Sequence, residues 1–403
     1  MRQFAQPIDR NVMRKMNQNT LLNLIRAHAP VSRTRLKDLS GLSLGTIMGI
    51  TSTLIEQQLV VETGVAESTG GRKAGLLEIY PDGGYAIGIS LMEYQIVGTV
   101  LNLNGQVVHE LVWPAPLRDN GDSAVAIIAA GVEDFISRFS LPRSKIVGLG
   151  CGVSGPVNTS TGVAIDSWIL NWHHVNLLAP LTQSLDMPIF VDNSVNCLAC
   201  YENLYGYGLQ YHDILLVTLG RGLGMATLLH NMPFRGSQGI GSEFGHIPID
   251  VSGRLCECGN RGCLEAYVAD HGIVRTYREL SQSSEEVIPS TIDNVIIDDL
   301  FKLATQGDTH ALQTFQKTAT HLGIGLATLV NLYNPECIVI YGGEGHRVDL
   351  MVDVILSVMK QHIFSLLGKN LTFIAQRNTT MLNWSRGAAC LVLQDFYAYS
   401  SRV

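Results

Sequence analysis

The sequence predicts an α/β protein in which an N-terminal winged helix-turn-helix module precedes two α/β lobes with a cleft between them. Two observations predict this fold class. At 403 residues the chain exceeds the size that one hydrophobic core supports. Apolar strands that end in glycine loops recur along it, which is typical of α/β lobes. A composition of 46% hydrophobic and 16% charged residues with 40 glycines fits a packed protein with many tight turns.

The first 82 residues carry three short helical patterns and then two strands that flank a basic loop. Ser32 is a predicted N-cap of the second helix, Gly41 supplies the turn after it, and Ser43 is a predicted N-cap of a third helix over residues 43–58. Together with the strands "LVVETG" and "LLEIYP", these helices predict a winged helix-turn-helix that places its third helix in the major groove of DNA. The alternative is a small helical bundle that packs against the larger body.

The charge of the chain is unevenly distributed. Residues 1–80 contain ten Lys and Arg against six Asp and Glu, a net charge of +4, which leaves −11 for the rest of a chain whose total is −7. A basic N-terminal module favours a polyanion as its partner, here operator DNA. Residues 43–58 contain no Lys or Arg, so we expect salt-dependent binding with weak direct base readout. The residues predicted to contact DNA are Arg33, Arg35, Ser43, Thr46, Thr51, Ser52, Arg72 and Lys73.

Strands, helices and glycine loops alternate along the rest of the chain. The segment "LNLNGQVV" predicts a hairpin turn, "PIFVDNSVNCLACYENLYG" predicts a strand followed by a helix, and "DILLVTLGRGLGMATLLHN" predicts two strands around a glycine loop. The segment "PECIVIYGGEG" repeats the strand-to-glycine pattern. We predict a DNA-binding domain over residues 1–82, a first α/β lobe over 83–200 and 385–403, and a second lobe over 201–384.

Two kinds of segment, a membrane span and an apolar signal segment, inform the prediction of cellular location. It contains no run of 18 or more apolar residues and no apolar signal segment near the N-terminus, so we expect a cytoplasmic protein without membrane insertion. In a reducing interior the eight cysteines are not expected to form a disulfide framework.

Three of the cysteines lie within eight residues. Cys256, Cys258 and Cys263 form a C-x-C-x4-C pattern, and His246 lies ten residues upstream. Zinc prefers four soft or borderline ligands in a tetrahedron, and three cysteines with one histidine form a closed structural set. We therefore predict a Zn²⁺ cofactor. A metal hydrolase is disfavoured because the protein would occupy all four zinc positions.

Four motifs resemble the ROK family, a group of sugar kinases and sugar-responsive repressors: "GSEFGHIPID", "CECGNRGCLEAY", "VDNSVNCLACYE" and the N-terminal winged helix that ends in "GGRK". The resemblance runs from about residue 17 to residue 389, and the winged helix is typical of the family's regulators. It implies an actin-like fold of two lobes, a homodimer or homotetramer, and a sugar or sugar-phosphate effector. The sugar contacts that it implies come from Asn171, Asn193, Glu243, His246 and Glu265. We add Ser194, whose hydroxyl can hydrogen-bond a sugar hydroxyl without activating it.

The chain departs from the kinases of this family where the chemistry occurs. The kinases carry Asn-Asp-x-Asn with the aspartate as general base, whereas this chain has Ser194 at that position, and a serine hydroxyl does not accept a proton near pH 7. The first phosphate loop reads "SLMEY" in place of Asp-x-Gly-Gly-Thr, and Glu93 in it would repel ATP. The second loop keeps its glycines but contains Arg221, which leaves it ambiguous. We predict no catalytic residue and no phosphoryl transfer.

Three functional hypotheses remain open. The leading one is a DNA-binding regulator, a repressor of carbohydrate metabolism or transport genes, controlled by a sugar or sugar phosphate in a degenerate kinase cleft. The second is an ATP-dependent sugar kinase with an appended DNA-binding domain. The third is a regulator that a transporter component sequesters.

Overall fold

The structure is a computed structural model and describes residues 10–65, 75–281, 294–342, 347–376 and 380–397. The chain folds as two compact units. Unit 1 comprises Met1–Cys197 and Ser385–Val403, and unit 2 comprises Leu198–Trp384. The chain passes from one unit to the other twice, and each passage lies inside a helix, over residues 194–205 and 381–397.

The N-terminal module of unit 1 has the predicted order of helices and strands. Its elements are α1 Arg10–His28, β1 Val31–Ser32, α2 Arg33–Ser40, α3 Leu44–Glu56, β2 Val60–Val65 and β3 Gly75–Ile79. The predicted caps are present, because the Ser32 and Ser43 hydroxyls accept hydrogen bonds from the backbone N–H groups of Arg35 and Thr46, both at 3.2 Å. The predicted turn is also confirmed, because Gly41 takes a φ of 70°, a conformation that favours glycine.

A small core and a three-stranded sheet hold the module together. Leu21, Ile25, Leu36, Ile47 and Leu54 are completely buried between the three helices. The strands are ordered β1-β3-β2 and pair antiparallel. This is the helix-turn-helix with its wing strands that the sequence predicts.

The larger part of unit 1 is built on a mixed five-stranded sheet. Its elements are β4 Tyr85–Leu91, β5 Gln95–Asn102, β6 Val107–Pro114, α4 Ala124–Arg138, β7 Ile146–Val153, β8 Val157–Asn158, β9 Val163–Ser167, β10 Trp172–Asn176, α5 Leu178–Leu185, β11 Ile189–Asn193 and α6 Ser194–Tyr205. The sheet order is β11-β7-β4-β5-β6, with β4, β7 and β11 parallel and the β4-β5-β6 meander antiparallel. Strands β8, β9 and β10 form a separate small antiparallel sheet.

Unit 2 repeats the same strand order. Its elements are β12 Ile214–Leu219, β13 Leu223–Leu229, β14 Met232–Phe234, α7 Glu265–Val268, α8 Asp270–Ser281, α9 Asn294–Thr305, α10 Thr309–Tyr333, β15 Cys337–Tyr341, α11 Val352–His362 and β16 Thr372–Gln376, followed by α12 Met381–Tyr397. The order β14-β13-β12-β15-β16 again joins an antiparallel meander to parallel strands. The prediction of two similar α/β halves agrees with this repeat.

Helix α12 lies directly against the central strands of unit 1. A Cβ added to Gly88 of β4 would lie 2.1 Å from the Ser385 carbonyl oxygen, and one added to Gly150 of β7 would lie 1.9 Å from that of Ala388. These two glycines are required because the helix backbone approaches the sheet too closely for any side chain.

The C-terminal end of α12 anchors the N-terminal module. The Asn23 amide of α1 donates a hydrogen bond to the Tyr397 carbonyl oxygen at 2.6 Å, and the Arg26 guanidinium lies 5.1 Å from the centroid of the Tyr397 ring. The Tyr397 hydroxyl donates to the Leu103 carbonyl oxygen at 2.8 Å. One buried aromatic side chain therefore contacts both the module and the large sheet of unit 1. Among the described residues, no helix is long and apolar enough to cross a bilayer.

Candidate functional site

A cluster of three cysteines and one histidine lies in the loops between β14 and α7 of unit 2. One ligand atom from each of His246, Cys256, Cys258 and Cys263 lies within 4.8 Å of the others. Cys258 Sγ lies 3.7 Å from Cys263 Sγ, and Cys256 Sγ lies 3.8 Å from His246 Nδ1. Zinc–sulfur bonds of about 2.3 Å in a tetrahedron require sulfur atoms about 3.8 Å apart. The donor atoms and their spacing therefore fit one tetrahedral cation.

Tight turns and one half-buried arginine hold the ligand loop in this shape. Gly262 has a φ of 73°, and a Cβ on it would lie 1.6 Å from the Asp250 carbonyl oxygen, so only glycine fits. The Cys256 N–H donates to the Asn260 carbonyl oxygen at 2.8 Å, which closes the turn between the first and third cysteines. The Arg254 guanidinium ties this loop to α7 and α8 through Ala266, Tyr267, Gly272, Thr276 and Glu279.

Burial raises the pKa of the Cys256 and Cys263 thiols. Neutral thiols are therefore the stable form at neutral pH unless a cation balances the thiolate charge. A metal ion supplies that charge and releases the protons on binding. This arrangement suits a structural cation.

Two carboxylates flank the same histidine. Glu243 lies at the start of the short turn that ends at His246, and Glu265 begins α7 directly after the cysteines. Glu243 is exposed, yet desolvation raises the pKa of its carboxyl, while His246 opposes the rise and Glu265 adds to it. The structure thus brings together the three unit 2 residues that the resemblance implies for sugar contact.

Glu265 also holds the second glycine loop. Its Oε2 accepts a hydrogen bond from the Leu223 N–H at 2.8 Å, directly after Gly222. The Asp270 N–H donates to the Gly220 carbonyl oxygen at 2.9 Å on the other side of the loop. The glycine loop between β12 and β13 is therefore fixed by the first residues of α7 and α8.

The strand-to-helix junction in unit 1 carries Asn193 and Ser194. The Asn193 amide donates to the Gly155 carbonyl oxygen at 2.8 Å, and its Oδ1 accepts from the Val195 N–H at 2.8 Å. Ser194 is the half-exposed first residue of α6. The Asn193 side chain therefore shapes the turn that presents Ser194. These two bonds use one of its two amide hydrogens and one of the two lone pairs on Oδ1.

Asp192 is the carboxylate nearest in sequence to that junction, and its side chain stabilises the turn. Its side chain is 1% exposed, and its Oδ1 accepts from the Asn193 N–H at 2.7 Å and from the Asn196 amide at 2.9 Å. A carboxylate that is buried and hydrogen bonded in this way does not reach a ligand hydroxyl.

Asn171 lies in the loop before β10, with a φ of 53°. Its amide donates to Asp119 Oδ1 at 2.6 Å and its side chain is exposed. The adjacent Trp172 points the other way, into the core, where it is 1% exposed and its Nε1 donates to the Leu117 carbonyl oxygen at 2.8 Å. Asn171 alone of this pair presents a side chain to solvent.

Sequence patterns did not reveal the residues that support this loop. Arg118 Nη1 lies 2.8 Å from Glu93 Oε1 and 2.8 Å from the Ile169 carbonyl oxygen. Glu93, in the loop between β4 and β5, is therefore an ion-pair partner inside unit 1. No short motif signals a pair 25 residues apart, because the β4-β5-β6 meander creates it. The exposed Trp168, packed edge-on against His173, is a second such residue.

The candidate DNA interface consists of the exposed faces of α2 and α3. Arg35, Ser43, Thr46 and Ser52 are exposed, as a DNA contact requires. Thr51 is 0% exposed, and its hydroxyl accepts a hydrogen bond from Arg33 Nε at 3.0 Å. Its predicted DNA contact is therefore wrong, because α3 turns this residue towards the core of the module.

Two further predicted DNA contacts need comment. Arg33 is half-buried, and its Nη1 forms an ion pair with Glu62 at 3.2 Å, so part of its guanidinium serves the fold. The wing residues Arg72 and Lys73 lie outside the described residues.

Comparison with known proteins gives one family and a consistent set of relatives. The model of the ROK family matches residues 86–395. A xylose repressor of Bacillus spizizenii is 27% identical over 366 residues, which cover 90% of this chain and 91% of the repressor. The DNA-binding transcriptional dual regulator NagC of Escherichia coli is 28% identical over 340 residues, which cover 82% of this chain and 81% of NagC.

Solved structures agree with these relatives. A ROK family transcriptional regulator, described as a homologue of the E. coli MLC protein, has a TM-score of 0.83 at 25% identity and covers 96% of this chain and 97% of its own. A ROK family glucokinase from Streptomyces griseus, in complex with glucose and AMPPNP, has a TM-score of 0.62 at 25% identity and covers 76% of this chain and 99% of its own. The predicted fold class, a winged helix-turn-helix followed by the actin-like fold of the ROK sugar kinases, is confirmed.

Proposed function

Because the chain belongs to the ROK family, we propose that it is a DNA-binding transcription regulator, a repressor of carbohydrate metabolism or transport genes whose operator affinity depends on a sugar or sugar phosphate. The N-terminal module is the observation that carries this proposal. The regulator structure covers 96% of the chain, whereas the glucokinase covers 76%, and the difference is comparable in length with that module. A capped and exposed α3 gives the module a helix that fits a DNA groove.

The proposed effector contacts form two groups. Glu243, His246 and Glu265 of unit 2 offer two carboxylates and an imidazole, and Asn171, Asn193 and Ser194 of unit 1 offer amides and a hydroxyl. Sugar hydroxyls both donate and accept hydrogen bonds, so they need such mixed partners. Effector binding changes operator affinity if the effector has different affinities for the DNA-binding and DNA-free forms.

We assign the metal position to Zn²⁺. Three sulfur ligands and one imidazole nitrogen at tetrahedral spacing favour zinc over magnesium or calcium, which prefer oxygen. With four protein ligands the ion would be structural. It would fix the loop that carries His246, and through α7 the position of Glu265.

Loss of phosphoryl transfer is part of the proposal. Ser194 replaces the general base, Asp192 is held in the fold, and Glu93 is paired with Arg118. A hydroxyl without an adjacent carboxylate does not remove the proton of a sugar hydroxyl. Without that base, phosphoryl transfer from ATP would depend on positioning alone.

The second candidate function is an ATP-dependent sugar kinase with an appended DNA-binding domain. The retained loop around Gly220 and Gly222, and the likeness to a glucokinase solved with AMPPNP, favour it. Sugar-dependent ADP release by the purified protein, abolished in Glu243→Ala, would establish this activity. No ADP release above the ATP-only rate with any of the tested sugars is the result that we expect.

Three further properties are proposed on the same basis. We expect a cytoplasmic protein that assembles as a homodimer or homotetramer, since paired modules match paired operator half-sites. We propose binding by a transporter component as a second control on its DNA affinity. Sedimentation of the purified protein and pull-down from a membrane fraction test these two expectations separately.

The experiment that tests the main proposal measures binding of the full-length protein to its own upstream DNA. Fluorescence anisotropy at several salt concentrations should give specific binding that weakens steeply as salt rises. Arg35→Ala should weaken binding to all sequences, whereas Arg138→Ala, at an exposed arginine on α4, should not. Absence of any preference for the upstream fragment over random DNA would contradict the proposal.

A further inference from the structure

The solvent-facing side of α3 is apolar and includes two glycines. Leu44 and Met48 are 44% and 54% exposed, and Gly45 and Gly49 lie beside them on the same exposed face. Leu44 and Met48 are four residues apart, as are the two glycines, so the four positions form one continuous surface along the helix. No charged side chain lies on this surface between residues 43 and 52.

The fold of the chain does not require glycine on this face. A Cβ on Gly49 would meet no atom within 4 Å, and one on Gly45 would meet only the Ser43 hydroxyl at 4.0 Å, among the described residues. Neither glycine has a positive φ. Gly88 differs, because α12 leaves no room for its Cβ. Glycine within a helix lowers stability relative to alanine, so Gly49 reduces helix stability without any compensating contact inside the module.

The polar groups at the start of α3 are largely used within the helix. The Ser43 hydroxyl caps the Thr46 N–H and also lies 2.8 Å from the Thr46 hydroxyl. Thr51 is buried. Hydrogen-bond readout by this helix therefore depends on few groups, while the apolar side chains of Leu44 and Met48 are exposed.

We propose that α3 recognises its operator by apolar contact, with Met48 and Leu44 against thymine 5-methyl groups in the major groove. Gly45 and Gly49 would let the helix backbone approach the bases closely. The thymine methyl is the apolar group that the major groove presents, so it is the base feature that such a surface can read. This inference rests on the proposed DNA-binding function and assigns its specificity. Exposed Arg35 and Lys37 on α2 would contact phosphates and position the helix.

The DNA side of the test replaces single thymines of the bound upstream sequence by deoxyuridine, which lacks only the methyl group. The full-length protein should lose affinity about fourfold at each contacted thymine, the factor expected for one buried methyl group. Deoxyuridine outside the protected region should have no effect. If every substitution in the protected region leaves the affinity unchanged while specific binding persists, the inference is overturned and the proposed function stands. If no specific binding is seen, both fail.

The protein side of the test uses a double-mutant cycle. Met48→Ala should weaken binding to the thymine duplex more than to the matching deoxyuridine duplex, by about fourfold, because the methyl contact is already absent from the second. Met232→Ala, at another exposed methionine, should bind both duplexes as the unchanged protein does. Equal losses on the two duplexes would show that Met48 does not contact the methyl group.

Gly49→Ala separates helix stability from recognition. It should raise the melting temperature of the module because alanine favours the helix, and it should weaken operator binding because its methyl group holds the backbone away from the bases. Higher stability with unchanged affinity would overturn the role of the glycine. A change in oligomeric state in Met48→Ala, measured by light scattering, would show that this face joins two copies of the chain instead.

Discussion

At the scale of single residues, the junction of β11 and α6 keeps its shape without any contribution from the Ser194 side chain. Asp192 and Asn193 hold the turn through hydrogen bonds to Asn196, Val195 and Gly155, and none of these bonds requires the Ser194 side chain. The identity of residue 194 can therefore change the chemistry at low structural cost. The proposed loss of the general base is therefore compatible with an intact turn.

The metal ligands give the first prediction at this scale. Cys258→Ser should lower zinc content, because serine removes a thiolate ligand. Mutation of residues that only support the ligands already lowers metal affinity about 10–100-fold, so loss of a ligand should lower it at least as much. The melting temperature should fall with it, since metal binding free energy contributes to folding. Zinc is measured by elemental analysis after dialysis. Cys151→Ala, at a buried cysteine of unit 1, should keep its zinc, and full zinc in Cys258→Ser would contradict the assignment.

Glu202 gives the second prediction. Burial raises the pKa of its carboxyl, while the Tyr341 hydroxyl and the Tyr207 N–H oppose the rise. The folded state therefore binds the proton more tightly than the unfolded state, whose pKa is about 4.3. The stabilising contribution of Glu202 is complete below that pH and is lost as pH rises through the folded-state pKa.

Glu202→Gln should remove this pH dependence. The urea midpoint of the unchanged protein should fall relative to that of Glu202→Gln as pH increases from 5 to 8. Glu56→Gln, at an exposed glutamate, should follow the unchanged protein. Parallel pH profiles for the protein and Glu202→Gln would show that burial of this carboxyl does not affect folding.

At the scale of single elements, helix caps explain the N-terminal module, and they give a third prediction. Ser32 caps α2 through the Arg35 N–H. Ser32→Ala should destabilise the helix by about 1 kcal/mol, so the α2 amides should exchange hydrogen about fivefold faster. Thr34→Ala, at an exposed position in the first turn of α2, should change exchange little. Equal exchange in the two variants would contradict the role of the cap.

The elements that sequence predicts well are those with local causes. Ser32, Gly41 and Ser43 define helix ends through contacts three or four residues away, and their roles are visible in the sequence. Thr51 also has a local cause, because it lies four residues after Ile47 and three before Leu54, and helical periodicity places it on the buried face of α3. The Arg118–Glu93 pair is different, because it arises when distant segments pack, and no motif spacing predicts it.

The candidate site also combines features with local causes, which the sequence predicts, and features that distant segments create. The cysteine spacing predicts the metal cluster because the turns that close it are local. The hydrogen bond from Leu223 to Glu265 joins residues 42 positions apart, so only the folded structure reveals it. The family motif indicated that Glu265 matters, but its support of the glycine loop is a property of the folded unit.

At the scale of the whole molecule, α12 begins where the chain returns to unit 1 and ends against the N-terminal module. The chain passes from unit 2 into unit 1 near the start of α12, and Tyr397 at the end of α12 contacts Asn23 and Arg26 of α1. A change at the first turns of a continuous helix can reach its last turn because the helix is stiff and packed on the sheet. We expect this contact to transmit the effector signal to the module.

The fourth prediction follows from this contact. Asn23→Ala removes the hydrogen bond to the Tyr397 carbonyl oxygen and should reduce the factor by which effector changes operator affinity, with little change in affinity without effector. Thr20→Ala, at an exposed threonine of α1 whose hydroxyl donates to the Met16 carbonyl oxygen of the same helix, is the control and should keep the full response. An unchanged effector response in Asn23→Ala would show that the signal takes another route.

The most direct test of a regulator that binds a sugar without phosphorylating it is one titration with two readouts. Full-length protein is held on labelled upstream DNA while sugars, amino sugars and their phosphates are added with Mg-ATP, and anisotropy and ADP are both recorded. We predict that one ligand changes operator affinity at least fivefold, a coupling of about 1 kcal/mol, and that ADP stays at its background rate. Steady ADP formation with phosphorylated sugar, or operator affinity that no ligand changes, would contradict the proposal.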